Sequence, residues 1–308
     1  MLRQWIGRWT GSATLGLDLG SALVKAVEVA QDGQRVLLRR CALATVEHDH
    51  PAVALRRLLK QLNVRPTDVA VGLASPEVIV RPFAFPRMSR RELESAVRLE
   101  AEQAILNGHA PQDMTIDWHL FPAAPNESYR GLLAVVPKPV VNARLAVART
   151  AGLVPSIIDV EGLALWNAYW TLAGRRGSPK TVLLINIGAR TTNLVVARGL
   201  DQLMLVRDIQ AGTLALGKGE EREWLSEIRD SLSYARSSGG LRTLDTGYVT
   251  GGGATPDTAR LVGSVASVSV ECWNPLEYIV RDAASPAVES AAGPLLAVAL
   301  GLALRRPS

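Results

Sequence analysis

An internal duplication constrains the fold of this 308-residue chain more than any other feature of its sequence. The segment LGLDLGSALVKAVEVA is followed, at an offset of 168 residues, by LLINIGARTTNLVVA. Each has an apolar run with one polar residue, a glycine turn and a second apolar run, and the alignment places Asp18 on Asn186 and Gly20 on Gly188. Because internal similarity marks a repeated structural unit, we predict two related sheet domains that each open with the same hairpin.

This hairpin has the features of a phosphate-binding turn. Glycine lets the backbone approach a ligand closely, and turn N–H groups that point the same way form an anion site. A carboxylate such as Asp18 at the end of a strand can hold a hydrated divalent cation beside phosphates. Two such hairpins, together with the glycines at 251–253 that follow a later strand, predict a nucleotide site between two domains.

Apolar periodicity and turn residues divide the chain into four predicted parts. A helix with a capping box at Ser89 and Glu92, two strands and a second helix form a small α+β module. In the second sheet domain we predict a last strand at residues 265–270. The predicted parts are an N-terminal tail (1–13), a first domain (14–85, 154–176 and 290–308), an inserted α+β module (86–153) and a second domain (177–289).

Composition and charge exclude several classes of protein. With 48% apolar and 20% charged residues, the chain has the composition of a globular protein and not of a disordered or fibrous one. The net charge of +5 is carried mainly by arginines, whose pairs are scattered, whereas a nucleic-acid site needs basic residues on one face. The longest apolar stretch, before Arg305, is shorter than the ~20 residues of a membrane span, so we predict a buried helix there. We expect no nucleic-acid partner and only indirect membrane association.

Taken together, these motifs resemble the actin-like ATPase superfamily, which includes actin, Hsp70, sugar kinases and FtsA. Within it the chain is most similar to the PilM family of type IV pilus assembly proteins. The matching pieces besides the two hairpins are IIDVEGLALWNAY, VTGGGATP and GPLLAVALGLALR, and in the module EAEQAIL, a DW pair, VVPKPVV and AGLVPSIIDVE. The resemblance implies an α/β, actin-like (ribonuclease-H-like) duplicated two-domain fold with an inserted small α+β subdomain and a shortened second domain.

The resemblance also implies a site for ATP and Mg²⁺, with Asp18 holding the metal through water. The implied ligands of the phosphates are Gly16, Gly20, Ser21 and Lys25 from the first hairpin and Asn186, Gly188, Ala189, Thr191 and Thr192 from the second. The implied contacts of the nucleoside are Gly251, Gly252, Gly253 and Ala254. Glu161 stands where relatives keep a water-orienting, catalytic residue, although a carboxylate at a helix start also interacts favourably with the helix dipole.

Two departures from the family pattern limit the implied chemistry. The second hairpin has Asn186 where the family usually has Asp, so one carboxylate near the metal is missing. The stretch that follows residues 207–209 is also shorter than in the family. We therefore expect at most a slow ATPase.

The resemblance implies a cytoplasmic, actin-like scaffold of a type IV pilus or related secretion machine, peripheral to the inner membrane. It would bind the cytoplasmic N-terminal tail of a PilN-like inner-membrane protein, in a groove between the first domain and the module, and other inner-membrane components of the machine. ATP would be a structural ligand or a switch. The alternatives are an active ATPase or sugar kinase, for which we find no convincing catalytic Asp, and an FtsA-like division protein, which would end in an amphipathic helix.

Overall fold

The computed structural model describes most of the chain and places it in three sheets with helices between them. Residues 1–12 of the predicted tail and residues 175–179, at the predicted boundary between the first and second domains, lie outside the described part. The described residues are 13–32, 35–48, 50–64, 68–105, 110–122, 124, 126–174, 180–281 and 290–305. No helix among them is both long and apolar enough to cross a membrane.

The first sheet contains an antiparallel meander extended by parallel strands on either side. Its spatial order in the described residues is β14-β3-β2-β1-β4-β8. The strands are β1 (Thr14–Leu19), β2 (Leu23–Asp32), β3 (Arg35–Thr45), β4 (Asp68–Leu73), β8 (Ile157–Val160) and β14 (Val280–Arg281). Helix α1 (Pro51–Leu62) buries Leu55 and Leu58 against this sheet.

The second sheet repeats the order of the first, as β11-β10-β9-β12-β13. Its strands are β9 (Thr181–Ile187), β10 (Thr192–Arg198), β11 (Gln202–Ile209), β12 (Thr246–Gly251) and β13 (Val270–Cys272). Its helices are α5 (Thr213–Leu216), α6 (Glu221–Ser237) and α7 (Pro256–Ala266). In both sheets the first three strands are antiparallel and the next two run parallel to the first. The predicted duplicated α/β fold is therefore confirmed.

A third, antiparallel sheet forms the inserted module. It has the order β5-β7-β6, with β5 (Ile79–Phe85), β6 (Met114–Leu120) and β7 (Tyr129–Pro137). Side chains alternate along β7, so Leu133 and Val135 pack against helix α2 (Arg90–Ala104), while Leu132 and Val136 join the central core. The capping box predicted for Ser89 and Glu92 is present at the start of α2.

Three segments belong to a different unit from the one that the sequence predicted. Strand β5 pairs with β7, so it is part of the module sheet and not of the first domain. Helix α3 (Lys138–Thr150) packs its second half into the core of the first sheet, and it occupies the place between β4 and β8 that α7 occupies between β12 and β13. Strand β14 pairs with β3. Sheet membership thus gives the module residues 79–137, because a strand-like pattern does not specify which sheet a strand joins.

The strand predicted at residues 265–270 is wrong in its position. Thr255 caps α7, and the helix continues to Ala266 before Ser267 ends it in a left-handed conformation. Val265, the first residue of the predicted strand, therefore lies in the last turn of α7, where it packs with Val262 on the core of the second sheet. The β-branched residues therefore pack on a helix face, and the strand starts only at Val270.

Two helices join the sheets at the centre of the molecule. Helix α4 (Glu161–Leu172) packs between the first and second sheets, and helix α8 (Ala297–Ala303) crosses it and packs on β1. The two helices cross so closely that a Cβ on Gly301 would lie 1.9 Å from the carbonyl oxygen of Ala164, and the crossing therefore requires glycine at this position. The predicted buried terminal helix is present, although a 3-10 turn precedes its seven-residue α-helical part.

Candidate functional site

A cleft of about 640 Å³ lies where the two duplicated hairpins, the start of α4 and the glycines after β12 meet. It brings together residues that are up to 277 positions apart in the sequence, from Asp18 to Leu295. The predicted site residues that line the cleft are Asp18, Gly20, Ser21, Lys25, Glu161, Asn186, Gly188, Ala189, Thr191 and Gly252.

The remaining predicted site residues have other positions. Gly16 lies under α8, where a Cβ would be 2.1 Å from the carbonyl oxygen of Ala299. The hydroxyl of Thr192 is buried, donates to the carbonyl of Ala211 over 2.7 Å and accepts from the indole N–H of Trp224. The close approach of α8 and the hydrogen bonds of Thr192 give both residues a structural role outside the cleft.

The glycines after β12 allow a tight contact with the second hairpin. Gly251 has a φ of 86°, and a Cβ there would lie 2.5 Å from Oδ1 of Asn186. The N–H of Gly253 donates to the carbonyl of Ile187 over 3.0 Å, and that of Ala254 closes a turn on Gly251. These three residues set the position of Gly252, and of the four only Gly252 lines the cleft.

The first hairpin presents a charged pair at the floor of the cleft. Asp18 on β1 lies directly opposite Lys25 on β2, and Nζ of Lys25 is 2.8 Å from Oδ2 of Asp18. Both side chains are nearly buried, at 4% and 13% exposure. A Cβ on Gly20 would be 2.7 Å from the carbonyl oxygen of Leu23, so the turn requires glycine and keeps its backbone open to a ligand.

The second hairpin presents a neutral pair at the equivalent position. Asn186 on β9 lies opposite Asn193 on β10, and Nδ2 of Asn186 donates to Oδ1 of Asn193 over 2.7 Å. Nδ2 of Asn193 in turn donates to Oδ1 of Asp208 over 2.8 Å. Asp208 accepts a further hydrogen bond at Oδ2 from the backbone N–H of Ser75, over 2.9 Å. The amide pair thus begins a buried chain of hydrogen bonds that leads out of the second sheet.

Glu161 lies between the two hairpins with its carboxylate buried. Burial raises the pKa of Glu161 to about 7, and the nearby Asp18 carboxylate adds to the increase while Arg144 opposes it. Nη2 of Arg144 is 4.0 Å from Oε1 of Glu161, and Nδ2 of Asn193 is 3.5 Å from Oε2. Burial likewise raises the pKa of Asp208 to about 6, against the hydrogen bonds that it accepts. A carboxyl group with a pKa near 7 can accept and return a proton at neutral pH.

The predicted site residues did not include Arg144, which lines the cleft, or Asn193 and Asp208, which are buried and hydrogen-bonded behind Asn186. Asn193 had a signal, since it falls on Lys25 in the duplication. Asp208 is an acidic residue near the end of a buried strand, which is a weaker signal of the same kind. Arg144 comes from the middle of α3, and no motif in the sequence distinguishes it from the other arginines.

The residues of the cleft fit a nucleoside triphosphate and its metal. The volume lies within the range of about 300–1,000 Å³ that small-molecule sites occupy. Cationic side chains that can face phosphates line it, namely Lys25, Arg144, Arg190 and Lys218. The carboxylate of Asp18 lies in the same cleft, where it can hold Mg²⁺ through water. Among the described residues, no group of three or more acidic, His or Cys side chains could hold a metal ion directly.

Comparison with known proteins now identifies the family. A family model described as type IV pilus assembly protein PilM matches residues 16–218. The chain belongs to the PilM family. A solved structure of the PilM–PilN type IV pilus biogenesis complex is similar over 94% of this chain and 97% of that chain, with 27% identity and a TM-score of 0.78.

A second solved structure shows that the fold also occurs in a component of a different secretion system. The cytoplasmic domain of EpsL, an inner-membrane component of the type II secretion system of Vibrio cholerae, is 14% identical to this PilM-family chain. It matches 95% of each chain with a TM-score of 0.51, which shows a shared fold only. A search of curated proteins found no match.

Proposed function

We propose that this PilM-family chain acts at the cytoplasmic face of the inner membrane as a scaffold of a type IV pilus or related secretion machine. It binds the cytoplasmic N-terminal tail of a PilN-like inner-membrane protein. The observation that carries the proposal is the similarity to the PilM–PilN complex over 94% of the chain. Recruitment through this tail, and through other inner-membrane components, gives the chain its indirect membrane association.

A groove of about 420 Å³ beside the module supports the tail-binding proposal. It lies between β5, the end of α2 and β11, and apolar side chains such as Ile79, Ile105, Leu205 and Tyr234 line it. Both β5 and β11 are edge strands, so an extended peptide can add backbone hydrogen bonds to contacts in apolar pockets. This groove lies between the module and the second sheet, whereas the resemblance implied a groove between the module and the first domain.

Fluorescence polarisation with a labelled synthetic peptide tests this function. The peptide carries the cytoplasmic N-terminal sequence of the PilN-like protein from the same organism. Tyr234 is 47% exposed in the groove, and we expect Tyr234→Arg to weaken binding by about tenfold or more. Leu99→Arg is the matched control, since Leu99 is exposed on α2 outside the groove. If wild type does not bind the peptide, either with or without ATP, the proposal is refuted.

We further propose that the cleft binds ATP with Mg²⁺ as a structural ligand or switch and hydrolyses it slowly. Bound Mg²⁺ would neutralise charge on the phosphates. Lys25 would contact the phosphates, Asp18 would hold the metal through water, and Glu161 would orient a water and accept its proton. The second hairpin offers the amide of Asn186 in place of a carboxylate, which supports slow turnover.

Phosphate release measures the hydrolytic part of this proposal. We expect turnover well below about 1 s⁻¹, the low end of typical enzymes, and a further loss of about tenfold or more for Glu161→Gln. Asn186→Asp restores the missing carboxylate and is expected to raise the rate. Wild-type turnover above about 1 s⁻¹ would instead favour the alternative of an active ATPase.

A further inference from the structure

Two kinds of surface line the cleft. Around the hairpins and the start of α4 the lining is charged, with Asp18 and Lys25 paired at the floor and Arg144 beside Glu161. Apart from Ala74, the rest of the described lining comes from one segment of the chain and two residues outside it, which are 210–220, Gly252 and Leu295. A nucleotide whose phosphates lie at the hairpins has to place its base against this second surface.

The backbone donors of the second surface already have partners within the protein. From Thr213 to Glu220, eight consecutive N–H groups donate to backbone carbonyls over 2.9–3.2 Å. The N–H groups of Thr213 and Leu214 hold the start of α5 on the carbonyls of Gly188 and Ala189, and the other six close turns within the segment. Because these donors and their acceptors are paired without a ligand, no base leaves them unsatisfied. The backbone of this segment therefore does not select a base by its hydrogen-bonding edge.

The polar side chains of this segment are equally unselective. Those that line the cleft are Gln210, Thr213, Lys218 and Glu220. Gln210, Lys218 and Glu220 are exposed, so each keeps its hydration when a base offers it no partner. The half-buried Thr213 has a hydroxyl that both donates and accepts, and it can pair with the edge of either purine. Strong discrimination arises when the wrong ligand leaves buried polar groups of a site unpaired, and these side chains impose no such penalty.

The apolar side chains of this surface suit the face of a base and not its edge. Leu214 lines the cleft with 52% of its surface exposed. Leu295 lies beside Gly252, where a Cβ would be 3.4 Å from Cδ2 of Leu295. Every base has a flat face that can cover such side chains and remove them from water. Adenine and guanine differ only in the groups at their edges, so this contact is the same for both.

We propose that the cleft binds the Mg²⁺ complexes of purine nucleoside triphosphates through their phosphates, with Leu214 and Leu295 against the base and no selection between adenine and guanine. This inference rests on the proposed ATP site and names its ligand class. The hairpin turns and the cationic side chains of the cleft supply most of the affinity. The base adds a smaller apolar contribution, and GTP therefore occupies the site as ATP does.

Calorimetric titration of the full chain with Mg²⁺-ATP, Mg²⁺-GTP and magnesium tripolyphosphate tests this inference. We expect the dissociation constants of the two nucleotides to agree within about threefold. Tripolyphosphate, which has no base, is expected to bind within about tenfold of ATP. A larger difference between ATP and GTP in either direction, or a larger loss for tripolyphosphate, overturns the inference.

Two variants test the assignment of the base contact. Leu214→Ala is expected to weaken ATP and GTP by the same factor, about three- to tenfold, and to leave tripolyphosphate binding unchanged. Glu220→Gln is expected to keep the ratio of the ATP and GTP affinities within about twofold of wild type, because an exposed carboxylate does not select the base. The matched control is Leu99→Ala, since Leu99 is equally exposed on α2 and lies outside the cleft.

The outcomes separate this inference from the function beneath it. If wild type binds none of the three ligands, the proposed ATP site and the inference both fail. If wild type binds ATP but discriminates against GTP, the inference alone fails. A Leu214→Ala variant with wild-type affinity for both nucleotides overturns the base contact, and a Glu220→Gln variant with a changed ratio shows that Glu220 reads the base. Melting curves check that each variant is folded.

Discussion

The two hairpins that face each other across the cleft have the same backbone and different charge. In the first, the cross-strand pair is Asp18 with Lys25, and in the second the register-equivalent pair is Asn186 with Asn193. A Cβ added to the turn glycine of either hairpin would clash with the carbonyl oxygen three residues later, at 2.7 Å for Gly20 and 2.9 Å for Gly188. The comparison teaches that strand pairing and glycine determine the shape of the hairpin, while the side-chain pair determines what the hairpin can bind.

The difference also changes what each hairpin connects. The ion pair of the first hairpin is nearly self-contained, since Lys25 neutralises Asp18 within 2.8 Å. The amide pair of the second hairpin can make further hydrogen bonds. Asn193 donates to the carboxylate of Asp208, which also accepts the backbone N–H of Ser75. One duplicated position therefore carries a charged pair, which we propose as part of the nucleotide site, and the other is linked by hydrogen bonds to the backbone of Ser75.

The largest expected effect concerns the strand beneath the first hairpin. Gly16 aligns with Leu184, and a Cβ on Gly16 would lie 2.1–2.3 Å from backbone atoms of α8. Since a helix backbone cannot move as a side chain can, we expect Gly16→Ala to lower the free energy of unfolding by more than about 3 kcal/mol. Urea unfolding measures it. Wild-type stability in this variant would show that α8 packs less closely on β1 than on α4.

The next effect separates the charged pair from the neutral one. Lys25→Met leaves Asp18 buried without its partner, and we expect a loss of about 3 kcal/mol. Asn193→Leu in the second hairpin removes one neutral hydrogen bond, a short bond to the Asp208 carboxylate and a long one to Glu161, and we expect about 2 kcal/mol. Chemical denaturation at pH 7.5 compares them. A larger loss for Asn193→Leu would reverse the assignment of the stronger interaction to the first hairpin.

The pKa of Glu161 depends in part on the charge of Asp18 in the first hairpin, so the pH dependence of stability is sensitive to that charge. Its pKa is raised from 4.5 to about 7, so the folded state binds more protons than the unfolded state between these values. Stability from this group is complete below pH 4.5 and is lost as pH rises through 7. We expect Glu161→Gln to be more stable than wild type at pH 8, by on the order of 2 kcal/mol.

Thermal melts from pH 5 to 8 check this expectation. Wild type should lose stability across the range, and Glu161→Gln should lose less. The remaining slope comes from Asp208, whose pKa is raised to about 6, and from Asp159, whose pKa burial also raises, against His119, whose pKa burial lowers to about 4. Asp18→Asn should also reduce the slope, because Asp18 contributes to the raised pKa of Glu161. Parallel profiles for wild type and Glu161→Gln would contradict the raised pKa.

The smallest effect concerns a side chain that differs between the duplicated hairpins. Thr192 aligns with Val24, and its hydroxyl bonds Ala211 and Trp224 inside the second domain. Thr192→Val copies the first hairpin into the second, and we expect a loss of about 1 kcal/mol. Denaturant unfolding measures it, with Thr191→Val at the cleft as the control of similar chemistry. If Thr192→Val lost ATP binding but kept its stability, Thr192 would belong to the nucleotide site after all.

The sequence predicts the fold well because the duplication is local in each copy. Each hairpin needs only neighbouring residues, so the strands, the glycine turns and the cleft residues Gly20 and Gly188 follow from short patterns. Sheet membership is not local, and therefore β5 was assigned to the wrong unit although its strand pattern was recognised. Arg144 shows the same limit for the site, because only the packing of α3 brings this arginine to the cleft.

Gly16 and Thr192 illustrate a second limit. Both lie in hairpin segments whose pattern matches a phosphate-binding motif, and glycine and threonine suit that role chemically. Glycine is also required where a helix packs closely on a strand, and a buried threonine also satisfies buried polar groups. A motif in the sequence cannot separate these uses, since they differ only in the neighbours that the fold provides.

We propose that the first hairpin supplies the charge that holds a nucleotide, whereas the second supplies backbone and the hydrogen bonds that lead to Ser75. Calorimetric titration of Mg²⁺-ATP into wild type, Asp18→Asn and Asn186→Ser at pH 7.5 tests it most directly. The account predicts that Asp18→Asn weakens binding by about tenfold or more and that Asn186→Ser stays within about threefold of wild type. Equal losses in the two variants, or a larger loss for Asn186→Ser, would contradict it.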